Sequence, residues 1–116
     1  MAKSQDNFKR GTTEILVLHL LTKEDLYGYR IIQLLSRRSK GKYILLEGTL
    51  YLILLKMEDE GYIEGYTEFV GEKRQRRYYH ITEKGRARYE ELLHDYDEIA
   101  LAVNLILDRT PPNDLI

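Results

Sequence analysis

Apolar residues fall at helical spacing along the first half of the chain, and the rhythm changes in the second half. Ile15, Leu16, Val17, Leu18, Leu20 and Leu21 form a dense apolar run. Its length and flanks predict a buried helix over 10–21, with a short buried strand as the rival assignment. Tyr27, Ile31, Leu34 and Leu35 recur at i, i+4, i+7 and i+8, one face of a second helix over 27–38. That helix ends in a basic run closing on Gly41, as helix C-termini favour. Leu50, Ile53, Leu54 and Met57 make the inward stripe of a third helix over 48–60, and Gly61 stops it.

From Tyr62 the period shortens. Residues 62–70 and 76–81 are rich in aromatic and β-branched side chains and predict two strands joined by the polar loop Gly71-Glu72-Lys73-Arg74-Gln75. Arg77, Tyr79 and Ile81 would share one face of the second strand, and Arg76, Tyr78 and His80 the other. Thr82 is a suitable N-cap with Glu83 behind it, opening a long helix to about Asp108 that Pro111-Pro112 forbids from continuing. Residues 1–9 are polar and predict a flexible N-terminus. The fold class is therefore α+β, mainly α: a winged helix-turn-helix over 10–81, a long C-terminal dimerisation helix over 82–108 and a tail over 109–116.

The last helix carries its own pattern. Tyr89, Leu92, Tyr96, Ile99, Val103 and Ile106 are spaced 3, 4, 3, 4, 3, a heptad seam widened by Leu93, Ala100 and Leu107. So broad a stripe predicts packing on the parent domain and on a second copy, that is, a homodimer.

Charge sharpens the reading. The 116 residues carry a net charge of −1, but its distribution is uneven. Between Glu72 and Arg88 seven basic residues stand against two acidic ones, while Glu58–Glu68 holds five acids and no base. Lys73, Arg74, Arg76 and Arg77 at the end of a two-stranded ribbon are placed to neutralise phosphates of double-stranded DNA. Thr49 and Tyr51, near the start of the third helix, and Lys56 further along it are the candidate reading residues. Leu52 and Leu55 share that outer face; they can touch thymine methyls or pack against the first helix or the wing.

Other chemistries find little support. Without cysteine there is no disulfide and no thiolate site. The N-terminus lacks an apolar signal region and no uncharged run approaches the ~20 residues of a membrane span, so a cytoplasmic protein without a membrane partner is expected. Of the histidines His19, His80 and His94, only His94 has a carboxylate at i+4, Glu98, and no third ligand stands near it. No catalytic motif is present, so neither an enzyme nor a cofactor is expected.

Several segments together resemble a known family. Leu26-Tyr27-Gly28-Tyr29, Glu47-Gly48-Thr49-Leu50-Tyr51, Met57-Glu58-Asp59-Glu60-Gly61-Tyr62-Ile63 and Arg76-Arg77-Tyr78-Tyr79-His80-Ile81-Thr82-Glu83-Lys84-Gly85 are similar to the PadR family of transcriptional regulators, over about residues 12–107. The resemblance implies a winged-helix repressor that dimerises through its C-terminal helix and leaves DNA when a small effector binds. A single C-terminal helix resembles the short, multidrug-sensing subgroup, in which an aromatic side chain stacks on drugs at the dimer interface. The matching position is Tyr96, flanked by Leu92 and Ile99, so the implied effector is small and aromatic or hydrophobic. Leu55 stands where the family usually has a basic residue, and Leu46 where it often has a capping serine. The reading is thus a sequence-specific regulator of a palindromic operator; the alternative is a dimeric winged-helix protein-interaction module without DNA binding.

Overall fold

A computed structural model describes residues 3–109. The elements run α1 (Lys3–Arg10), α2 (Thr13–Leu21), β1 (Leu26–Tyr27), α3 (Gly28–Arg38), α4 (Glu47–Asp59), β2 (Ile63–Phe69), β3 (Gln75–Ile81) and α5 (Glu83–Ile106). Helices α2, α3 and α4 close around Val17, Leu18, Leu21, Ile31, Leu50, Leu54 and Met57, with Ile63 and Ile81 from the hairpin sealing the base. The apolar run over 15–21 is helical, so the rival strand assignment falls. This is a winged helix-turn-helix with a long C-terminal helix.

Two elements escaped the sequence pattern. Residues 3–10 form a helix where the sequence predicted a flexible segment. Its support is charge rather than apolar periodicity. Asp6 sits in the first turn, Lys9 and Arg10 in the last, and Lys9 pairs with Asp6 at 3.4 Å. Lys9 Nζ also donates to the Ile44 carbonyl at 2.8 Å. The other is β1, only two residues long, which adds a third strand to give the order β1-β3-β2. Boundaries elsewhere move by a few residues. Helix α2 begins at Thr13 because Thr12 and Thr13 turn their hydroxyls onto Tyr43 Oη at 2.9 and 2.7 Å, breaking the chain from α1. Helix α5 ends at Ile106, and Asp108 follows at φ 56°. The Pro111-Pro112 stop lies outside the described residues.

The junction at the base of the hairpin is tightly built. Gly61, at φ 84°, ends α4 in a Schellman arrangement: Tyr62 N donates to Met57 O at 2.9 Å and Gly61 N to Glu58 O at 3.0 Å. Thr82 caps α5 by accepting from Gly85 N at 3.0 Å, while its hydroxyl donates to Gly61 O at 2.7 Å. Gly85 itself is buried, and a Cβ there would lie 2.0 Å from the Tyr62 carbonyl oxygen.

Helix α5 is fastened to α2 as well. Tyr89 Oη and His19 Nδ1 are 2.7 Å apart, and Arg88 Nε donates to Glu14 Oε2 at 3.3 Å. Burial holds His19 below the ordinary imidazole value of 6.5, and the positive charges of Arg38 and Lys23 push the same way. The unfolded chain therefore takes up this proton more readily than the folded one, so stability is full above pH 6.5 and falls as the pH drops below it. The Tm should decline between pH 7 and pH 5, and His19→Gln should remove most of that decline. Calorimetry across the range checks this; an equal decline in the variant would refute the assignment.

Candidate nucleic-acid interface

The outer face of α4 is open to solvent. Thr49, Tyr51, Leu52, Leu55 and Lys56 are all exposed on it, while Leu50, Leu54 and Met57 on the opposite face are buried. Leu52 and Leu55 are 71% and 63% exposed, so they pack neither on α2 nor on the wing. Leu46 occupies the N-cap without a side-chain cap hydrogen bond, which leaves the first amides of α4 uncapped by its own side chain.

The wing divides its cations. Lys73 and Arg74 stand exposed at the hairpin tip, where Val70 N donates to Arg74 O at 3.0 Å and closes the turn. Arg76 is half-buried, its guanidinium stacked 4.0 Å over the Tyr27 ring. Arg77 behaves differently. It donates to Glu58 Oε2 at 2.5 Å, and Gly65 N donates to the same carboxylate at 3.2 Å. Gly65 makes room for this: a Cβ there would sit 2.3 Å from Arg77 Nη2. Arg77 is thereby held against the end of α4 rather than presented with the tip cations.

The two charged stretches of the sequence are therefore not separate patches. In the β2–β3 register Glu68 stands opposite Arg76 and Glu64 opposite His80, and Glu58 neutralises Arg77. A second clasp fixes the wing to the turn before β1. Asp25 accepts from Tyr66 Oη at 2.6 Å, and its other oxygen lies 2.8 Å from His80 Nδ1. Burial pushes the Asp25 carboxyl up, but these two hydrogen bonds outweigh it and hold the group below its usual value. The bond to Asp25 pushes the Tyr66 phenol up to about 12. On the same face Tyr66 stacks on Tyr78, and Tyr78 meets Tyr27 edge-on. Sequence reasoning missed Glu58, Gly65, Tyr27 and Asp25, because each acts across strands or from a two-residue strand that no local spacing marks.

The seam of α5 is split. Tyr89 and Leu92 pack on the domain's own core. Tyr96, Ile99, Val103 and Ile106 are exposed, with Ile99 at 64% and Ile106 at 80%. Of the three residues proposed for an effector, Tyr96 and Ile99 thus lie on the open half of the helix and Leu92 on the anchored half. A cavity of about 220 Å³ lies instead between α2 and α3, lined by Leu16, His19, Leu20, Leu34, Leu35, Arg38, Ser39 and Tyr43. Among the described residues no cluster of three or more His, Asp or Glu side chains could hold a metal ion, and no helix is long and apolar enough to cross a membrane.

Comparison with known proteins agrees with this architecture. The family described as "Transcriptional regulator PadR-like family" matches residues 17–91. An uncharacterized protein of Lysinibacillus sphaericus is 32% identical over 99 residues, spanning 85% of this chain and 91% of that one. A transcriptional regulator from Clostridium thermocellum is similar with a TM-score of 0.79 at 30% identity, over 84% of this chain and 95% of that chain. Bacillus subtilis PadR in complex with operator DNA is similar with a TM-score of 0.65 at 27% identity, over 70% of this chain and 46% of that chain.

Proposed function

The chain belongs to the PadR-like family of transcriptional regulators, and from that premise we propose that it works as a homodimeric repressor of a palindromic operator, released from DNA by a small aromatic or hydrophobic effector. The family and the solved relatives named above are transcriptional regulators, and one of them is bound to operator DNA. The observation that carries the proposal is the division of α5 into an anchored half and a bare half. Tyr96, Ile99, Val103 and Ile106 continue the spacing of Tyr89 and Leu92 but are exposed and lie outside the core that those two pack against. Burying such side chains contributes roughly 1.5–3 kcal/mol each, so a second α5 laid along them gives a stable dimer. A two-fold dimer sets two α4 helices toward half-sites about one helical turn apart. Light scattering should report a dimer at micromolar concentration, and Ile99→Asp should make it monomeric. A wild-type chain that is monomeric at that concentration refutes the arrangement.

Phosphate contacts come from Lys56, Lys73, Arg74 and Arg76, while Arg77 is occupied by Glu58. Four neutralised phosphates per protomer are about eight per dimer, so log K should fall with log salt at a slope near −7, roughly 0.9 per phosphate. Lys73→Ala with Arg74→Ala should flatten that slope by about half. Arg77→Ala should leave it nearly unchanged and lower the Tm instead. Anisotropy titrations at several salt concentrations read both; a slope that responds to Arg77 as strongly as to Arg74 would overturn the division of the wing.

The effector site follows from the same dimer. Tyr96 and Ile99 from two protomers, with Leu92 beneath them, would enclose an aromatic guest between the two α5 helices, held by stacking and a phenol hydrogen bond. An effector that prefers the DNA-incompetent spacing by ~1.4 kcal/mol lowers DNA affinity about tenfold. Calorimetry against a panel of aromatic compounds should find binders that Tyr96→Ala weakens. Equal binding to the variant moves the site elsewhere, while the DNA-binding role stands.

A further inference from the structure

We propose that Leu52 and Leu55 are specificity-determining residues that read thymine C5-methyl groups in the major groove. The inference rests on the DNA-binding role above and names what the reading helix recognises.

Three observations lead to it. First, Leu52 and Leu55 stand in the middle of the outer face of α4, flanked by Tyr51 on one side and Lys56 and Thr49 on the other, and nothing in the protomer covers them. Second, α4 contains no Arg, Asn or Gln. The side chains that read guanine or adenine through paired hydrogen bonds are Arg or Lys and Asn or Gln respectively. For such paired readout only Lys56 remains, for guanine, and the hydroxyls of Thr49 and Tyr51 lie at the flanks of the face and not at its middle. The base-edge feature left for the middle of this face is the thymine methyl, which is met by apolar contact. Third, the wing beside α4 presents Lys73 and Arg74 at its tip. A duplex backbone held there brings its groove, rather than an apolar protein surface, to α4. Leu52 and Leu55 are one turn apart, a rise of about 4.5 Å along the helix, so they reach methyls on neighbouring base-pair steps.

Replacing thymine by uracil removes that methyl and leaves the hydrogen-bonding edge unchanged. A duplex selected in vitro by the wild-type chain from a random pool is resynthesised with deoxyuridine for thymidine in its core. Wild-type affinity should fall about fourfold for each methyl contacted, the loss that ~0.8 kcal/mol per buried carbon implies. The double variant Leu52→Ala with Leu55→Ala should bind the thymine duplex more weakly and show no further loss on uracil. Both side chains are exposed and alanine favours helix, so an unchanged Tm verifies that the variant is folded. Lys56→Ala should weaken both duplexes and keep the thymine-to-uracil ratio. Equal wild-type affinity for the two duplexes overturns the proposal, as does a double variant that keeps the full uracil penalty. A double variant that binds the thymine duplex normally but loses a protein partner overturns it in favour of a protein-docking face. If the wild type selects no duplex at all, the DNA-binding role fails, and that result is distinct from the others.

Discussion

The structure depends on one crowded junction, where the end of α4, the base of the wing and the start of α5 share a few backbone atoms. The Tyr62 carbonyl accepts from Thr82 N at 3.1 Å and from the Thr82 hydroxyl at 3.1 Å. Lys84 Nζ donates to the Glu60 carbonyl at 2.7 Å, satisfying an oxygen that the end of α4 would leave unpaired. Gly61 and Gly85 make the approach possible, one by its left-handed backbone and the other by having no side chain. With Ile63 and Ile81 paired and buried just above, the direction of α5 is fixed relative to α4 and the hairpin. A movement of α5 is therefore carried to α4 through hydrogen bonds and packed atoms instead of a free linker.

A second tie gives that coupling a lever. Beyond the junction, Arg88 and Tyr89 hold α5 to α2 through Glu14 and His19, and α2 lies at the centre of the core. Past Leu92 the helix leaves the domain, and Tyr96, Ile99, Val103 and Ile106 are exposed on it. The molecule is accordingly elongated, 57 × 34 × 23 Å. The first part of α5 behaves as part of the head and the second as a handle. In a dimer of two such handles, their separation sets the separation of the two α4 helices, the one distance that a palindromic site is sensitive to.

Much of this was legible in the sequence, for reasons that differ by element. The stripe Leu50, Leu54 and Met57 and the cap Thr82 are local signals, since a helix face and an N-cap are set by residues within a turn or two. The short α1 was not legible, because charge at its ends and a contact to Ile44, far along the chain, support it in place of an apolar period. Strand β1 was missed because two residues show no alternation; its existence depends on pairing with Tyr78 and Tyr79. The interface was legible in kind but not in allocation. Four cations near one turn look equivalent in sequence, yet strand alternation turns Arg76 toward Tyr27 and Arg77 toward Glu58. The heptad spacing of α5 likewise could not reveal where the helix leaves its own domain, which depends on how far α2 extends beside it.

That allocation bears on how a chain of net charge −1 handles a polyanion. Its acids do not simply repel the duplex, since Glu58 is consumed by Arg77 and Asp25 by Tyr66 and His80, both inside the scaffold of the wing. On the wing and α4, the cations left for phosphate are Lys73 and Arg74 at the tip, Arg76 beside them and Lys56, so sequence-independent attraction is local in position. Contacts of this kind weaken steeply as salt rises, because each neutralised phosphate no longer gains from counterion release. Apolar contact between leucine and a thymine methyl does not depend on counterions; excluded salts strengthen it if anything. A reading helix centred on Leu52 and Leu55 therefore separates the two contributions physically. On that proposal the tip would give orientation and a salt-sensitive hold on any duplex, and the helix a salt-insensitive preference among duplexes. With a net charge of −1, the second contribution is a larger share of the total than it would be in a strongly basic protein. Discrimination between sites, being a difference of affinities, then persists as ionic strength removes the first.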